Sequence, residues 1–148
     1  MRLPPLTDEE LVPFLQEGMW VAKIATYNPE GSVRMTPLTY AIEGGDILLS
    51  TWESSAAARN LRRDPRASVL IDKEDPPYAG IHYTGQAEVE PEVLTSEEYA
   101  HLFGRYSSDF AGAVEYYRTL TSLAVALGPR ALIRFRPADR ITWDFAKF

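Results

Sequence analysis

The chain has 148 residues, 45% hydrophobic and 24% charged, a balance that fits one soluble globular domain spanning 1–148 with a real core. Its formal net charge of −6 argues against a nucleic-acid partner, because phosphate contacts need clustered Lys and Arg. Zero cysteines exclude a disulfide framework, a thiolate nucleophile and a cysteine-ligated metal or iron–sulfur centre. No apolar run is long enough to span a bilayer and none has the form of a cleaved leader, so a cytoplasmic protein without a membrane partner is expected.

In chain order, Thr7-Asp8-Glu9-Glu10 is a capping box, and Leu11, Phe14 and Leu15 give one apolar stripe on a helix running to about Gly18. Trp20, Ala22, Ile24 and Thr26 alternate with Val21, Lys23, Ala25 and Tyr27, which predicts a strand. Asn28-Pro29-Glu30-Gly31 turns the chain back into a strand from about Ser32 to Ile42. Pro37 lies inside that strand and cannot donate to a ladder, so an edge or a bulge is expected there. Glu43-Gly44-Gly45-Asp46 makes a second hairpin, and Ile47 to Thr51 completes the meander.

A short helix then carries Ala56 to Arg63 and stops before Pro65. Ala67 to Asp72 reads as a buried strand, and Lys73 to Pro77 as a polar, proline-rich connection. Ile81, Tyr83, Ala87 and Val89 face one way, with His82, Thr84, Gln86 and Glu88 opposite, a half-buried strand. Tyr99, Leu102, Phe103 and Tyr106 have helical spacing. So do Phe110, Ala113, Val114, Tyr117, Leu120 and Ala124, on a longer helix ending near Gly128. A last strand, Ala131 to Arg136, is followed by a short return to Trp143. About six strands with late helices make an α+β barrel.

The chemistry concentrates between Gly31 and Asp72. Ser50-Thr51 ends a strand and Ser54-Ser55 opens the helix, whose free N–H groups and positive dipole end suit a phosphate or carboxylate. Arg34 and Thr36 share a strand face. For Ser54 and Ser55, plain N-capping explains serine equally well. Of the basic knot Arg59, Arg62, Arg63 and Arg66, the middle pair reads as cations complementing the helix C-terminus, and Arg59 is the one placed to reach a ligand.

The layout G31-S-V-R-M-T-P, then L-S-T-x6-A-R-N-L-R-R-D-P-R-A-S-V-L-I-D, resembles the pyridoxamine 5'-phosphate oxidase-like flavin-binding split barrels. Y78-A-G-I-H-Y-T-G-Q-A-E-V and R136-P-A-D-R-I-T-W-D-F-A-K extend the likeness over most of the chain. It is nearest to the small flavin- or deazaflavin (F420)-dependent oxidoreductases. The resemblance implies a six-stranded split β-barrel with peripheral helices, a homodimer, and FMN (alternatively F420) in grooves at the subunit interface. It also implies hydride transfer between cofactor and a small organic substrate.

Carried over residue by residue, Arg34 matches a phosphate-reaching arginine, Thr36-Pro37 matches a common Thr-Pro, and Trp143 lies near the flavin. Thr36, Ser50, Thr51, Ser54, Ser55 and Arg59 would complete the phosphate end. The basic pair that grips the phosphate in flavin-binding relatives is replaced here by Ala56 and Ala57. Charge-assisted hydrogen bonds are worth roughly 1.5–3 kcal/mol each, so that loss weakens anchoring by about two to four decades. The alternative is therefore a non-catalytic binding module that has lost its cofactor, or that sequesters a flavin or haem.

His82 and His101 are the only histidines and lack further ligands at metal-site spacing. His82 falls on a polar strand face, while the face of His101 stays open. Tyr78, Tyr83, Tyr116, Tyr117 and Trp143 read mostly as core or dimer surface. No nucleophile elbow, P-loop, dinucleotide fingerprint or paired-carboxylate signature is present, and no residue stands out as a catalytic acid or base.

Overall fold

The structure, a computed structural model, describes residues 2–148. Helix α1 (Asp8–Glu17) opens at its capping box, with the Thr7 N–H donating to the Glu10 carboxylate at 2.9 Å. Strands β1 (Ala22–Tyr27) and β2 (Val33–Leu38) form the first hairpin, and β3 (Tyr40–Glu43) and β4 (Asp46–Trp52) the second. Helix α2 (Ala56–Arg63) leads to β5 (Arg66–Lys73) and β6 (Ala79–Pro91). Helices α3 (Ser96–Phe103), α4 (Phe110–Ser122) and α5 (Ala124–Leu127) precede β7 (Arg130–Asp144).

The strands form one antiparallel sheet in the order β2-β1-β5-β6-β7-β4-β3. Its ends approach where β2 meets β4, but they share no ladder, so the barrel is split. Seven strands stand where six were expected. The strand foreseen over 32–42 breaks at Thr39, just beyond Pro37, whose missing N–H is tolerated because β2 is an edge. The last strand is a single 15-residue ribbon rather than a short strand and a return. Pro137 is accommodated by a register shift opposite Thr84 and Gly85. The long helix foreseen to Gly128 is divided at Leu123 into α4 and α5.

Alternation along the strands sorts side chains into two apolar cores. Inside the barrel, Ile24, Ile47, Leu49, Val69, Ile71, Ile81, Ile133 and Phe135 are nearly fully buried, with Ala57 and Leu61 of α2 at one end and Leu11 and Leu15 of α1 against them. On the opposite face of β3, β4 and β7, Ala41, Leu48 and Leu132 meet Tyr99, Phe103 and Tyr117 of the α3–α4 pair. Tyr99 stacks on Phe103 at 4.9 Å and on Tyr117 at 4.1 Å. Each such side chain contributes about 1.5–3 kcal/mol by leaving water. No helix of the described residues is long and apolar enough to cross a membrane.

Candidate functional site

Register decides where the anticipated ligand residues point. On β2, Arg34 lies opposite Thr26 and Thr36 opposite Ile24, so both project to the barrel face. That face abuts α2, since the Asn60 amide donates to Thr26 Oγ1 at 3.1 Å. Arg34 is exposed and has no hydrogen-bond or ion-pair partner among the described residues. Thr51, 4% exposed, shares the barrel-directed side of β4 with Leu49.

At the α2 start, Ser55 is the N-cap and accepts from the Ala58 N–H at 3.1 Å. The Ser54 hydroxyl donates to the Leu127 carbonyl at 3.3 Å. Both serines are thus engaged in holding the helix end, while the N–H groups of Ala56 and Ala57 have no partner among the described residues. Arg59 is exposed and unpaired there as well. Its basic neighbours are committed elsewhere. Arg62 binds the Glu53 carbonyl and carboxylate, each at 3.0 Å, and Arg63 donates to the Tyr27 carbonyl at 2.6 Å. Arg66 hydrogen-bonds Asp64, and this holds the Asp64 carboxyl below the usual carboxylate range.

Ser50 points the other way, under α4, and joins a network absent from the sequence reading. Its hydroxyl donates to Glu92 Oε1 at 2.6 Å and accepts from an Arg130 terminal nitrogen. The Tyr117 hydroxyl donates to Glu92 Oε2 at 3.0 Å, and Arg130 Nε reaches the same oxygen at 3.3 Å. The Glu92 side chain is 0% exposed and that of Arg130 9%. Burial first, then the Glu92 charge, pushes the Tyr117 phenol up, so it remains a donor. The Arg130 guanidinium lies over the Trp52 ring at 4.4 Å. Above it opens a cleft of about 200 Å3 that Pro37, Ser50 and Thr51 also line. With its one proton given to Glu92, Ser50 is not a donor for a phosphate.

Trp143 stands apart from these groups. It pairs in register with Gly80 at the far end of β7, on the outer sheet face that also carries Ala25, Met35, Leu70, His82 and Ile141. A groove of about 530 Å3 on that face is lined by Tyr27, Val33, Arg66, Ser68 and His82. His101 is exposed, with its ring 4.9 Å from Phe110. Nothing local announces Glu92, Arg130 or Tyr117: Glu92 and Arg130 stand 42 and 80 residues from Ser50, and only the pairing of β4, β6 and β7 brings them together.

The family profile of pyridoxamine 5'-phosphate oxidase matches residues 7–144. Among solved structures, a conserved hypothetical protein from Mycobacterium tuberculosis is 27% identical, with 96% of this chain and 87% of that one covered and a TM-score of 0.70. An F420 reductase superposes with a TM-score of 0.60 at 17% identity, over 87% of this chain and 94% of its own. The heme storage protein HutZ from Vibrio cholerae does so at 0.65 and 16%, over 95% and 94%. The last two likenesses speak to fold alone. With the profile matched from the first helix to the end of β7, over a seven-stranded split barrel, the chain belongs to the pyridoxamine 5'-phosphate oxidase family.

Proposed function

We propose that the protein is a flavin- or deazaflavin-dependent oxidoreductase. The observation that carries this reading is Arg34, an exposed cation without a partner among the described residues, which shares with Thr36 the barrel face of β2, the face that α2 abuts through Asn60 and Thr26. The donor set fits a phosphate monoester: one guanidinium, one threonine hydroxyl and the two free N–H groups of Ala56 and Ala57. Arg59 adds an unpaired cation on the same helix. Ser50 is excluded, because its hydroxyl serves Glu92 and Arg130. FMN meets this requirement, and F420 is the alternative.

A bound flavin or deazaflavin supplies the hydride chemistry, and the protein's share is binding, orientation and exclusion of water. Arg34 and the α2 N–H groups would fix the anionic end. We further propose a homodimer joined through the outer sheet face, where Val33, Met35 and Ile141 are 57%, 58% and 65% exposed.

Titrating apo-treated protein with FMN and separately with F420, read by fluorescence, tests the reading. Saturable binding of one of them is expected. Arg34→Ala should weaken it by about tenfold to a hundredfold, the worth of one charge-assisted contact. Unchanged affinity in Arg34→Ala would overturn the assignment of the anion site.

A second reading is favoured by Ala56 and Ala57, which give the helix start no side-chain charge. In it the protein holds a planar ligand without turnover, as the name of the Vibrio cholerae heme storage protein suggests for that relative. Haem added to the same titration, with His82→Ala as the variant because His82 lines the outer groove, separates the two readings.

A further inference from the structure

The Arg130 guanidinium is only half used. Its five N–H donors lie in one plane. Nε and one terminal nitrogen, the pair along one side, are taken by Glu92 and Ser50. The end of the fork, one N–H on each terminal nitrogen, has no partner among the described residues. The terminal nitrogen that Ser50 does not engage is not sealed in, since the one buried side-chain nitrogen or oxygen without a partner among these residues is Arg105 Nε. Arg130 lines the cleft of about 200 Å3 between β4 and α4, together with Ser50, Trp52 and Leu120.

The surroundings fix that edge in place. Trp52 stacks beneath the guanidinium plane at 4.4 Å, and the fully buried Glu92 is itself held by Ser50 and Tyr117. Tyr99, Tyr116, Leu120 and Pro37 line the same cleft. Two parallel N–H donors in a rigid plane match a carboxylate in bidentate geometry. Aromatic and aliphatic walls match a flat apolar body. The volume is too small for a nucleotide cofactor.

We infer that this cleft is a binding subsite for a small aromatic carboxylate, gripped end-on by Arg130, with Glu92 and Ser50 as positioning residues. Calling the bound acid the substrate rests on the oxidoreductase reading above; its binding does not. Because Glu92 already balances the Arg130 charge, selectivity comes from the geometry of the fork more than from net attraction.

The test uses the purified protein, with benzoate as probe and benzamide as its neutral isostere, followed by tryptophan fluorescence and by line broadening in ligand-observed NMR. Saturable benzoate binding is expected, with benzamide about tenfold weaker or more, because it offers a single acceptor to two donors. Arg130→Lys keeps the charge, loses the fork and should weaken benzoate to a similar degree. Leu120→Trp, at the cleft wall and away from Glu92, serves if Arg130→Lys does not fold. Filling the cleft should abolish benzoate binding while FMN or F420 affinity is kept.

Arg34→Ala should leave benzoate affinity unchanged. Loss of cofactor binding with benzoate retained would therefore count against the oxidoreductase reading alone. Absence of benzoate binding at millimolar concentration, equal affinity for benzamide, or indifference to Leu120→Trp would each overturn the subsite.

Discussion

Asn60 is the side chain on which the seat of α2 against β1 depends. It is 3% exposed, donates to Thr26 Oγ1 at 3.1 Å and to Asn28 Oδ1 at 3.0 Å, and accepts from Arg63 at 2.9 Å. Asn60→Ala leaves buried partners unsatisfied and should cost about 1–3 kcal/mol. For a chain of this size that lowers Tm by roughly 2–4 °C per kcal/mol, readable by calorimetry. An unchanged Tm would deny Asn60 this role. At the protein's other end, Glu10 accepts from Lys147 at 2.6 Å and from the Thr7 N–H at 2.9 Å. The Lys147 hydrogen bond foremost, then the Thr7 N–H, hold its carboxyl below the ordinary value. A carboxyl with a lowered folded-state pKa stabilises above its unfolded value and loses that contribution as pH falls through the folded one. The Tm gap between the wild type and Glu10→Gln should then be widest at neutral pH and close in strong acid. A gap that persists in acid would show that the Glu10 charge contributes nothing. Thr7 and Glu10 were legible as a cap because capping joins residues three apart. The bond of Glu10 to Lys147 was not, because it spans 137 residues.

Among the elements, the β6–β7 ladder departs most from its sequence pattern. Gly85 sits at the register shift, and a Cβ there would lie 2.2 Å from the Arg136 carbonyl oxygen, a backbone atom that cannot swing aside. Gly85→Ala should cost about 1–3 kcal/mol, as other forced overpacking does. Gly45→Ala, with nothing within 4 Å of the added carbon, should fall within experimental error in the same denaturant titration. Equal stability of the two variants would contradict the close approach. Pro137 faces Gly85 across the ladder, and this pairing explains why β7 runs on where the sequence suggested a stop. A proline signals a broken ladder from its own chemistry, but the glycine that accommodates it lies on another strand. Pro37 was read correctly as an edge or bulge residue, since that inference needs no partner.

For the whole molecule, the proposed dimer makes the outer sheet face the decisive surface. A charge at its centre should split the assembly: Met35→Glu or Ile141→Glu is expected to halve the mass measured by light scattering. Val93→Glu, at a site 85% exposed and outside the sheet, should leave that mass unchanged. A wild-type protein that runs as a monomer would remove the proposed interface. Most strands, the turns and the caps were legible in the sequence, because each rests on residues a few positions apart or on alternation along one strand, while the split barrel was legible only through the family resemblance. The tertiary structure alone decided that Ser50 serves Glu92 and Arg130 while Arg34 stays free, and that Trp143 faces outward. Those outcomes follow from strand register, which is set by the packing of the whole sheet and brings together side chains far apart in the chain.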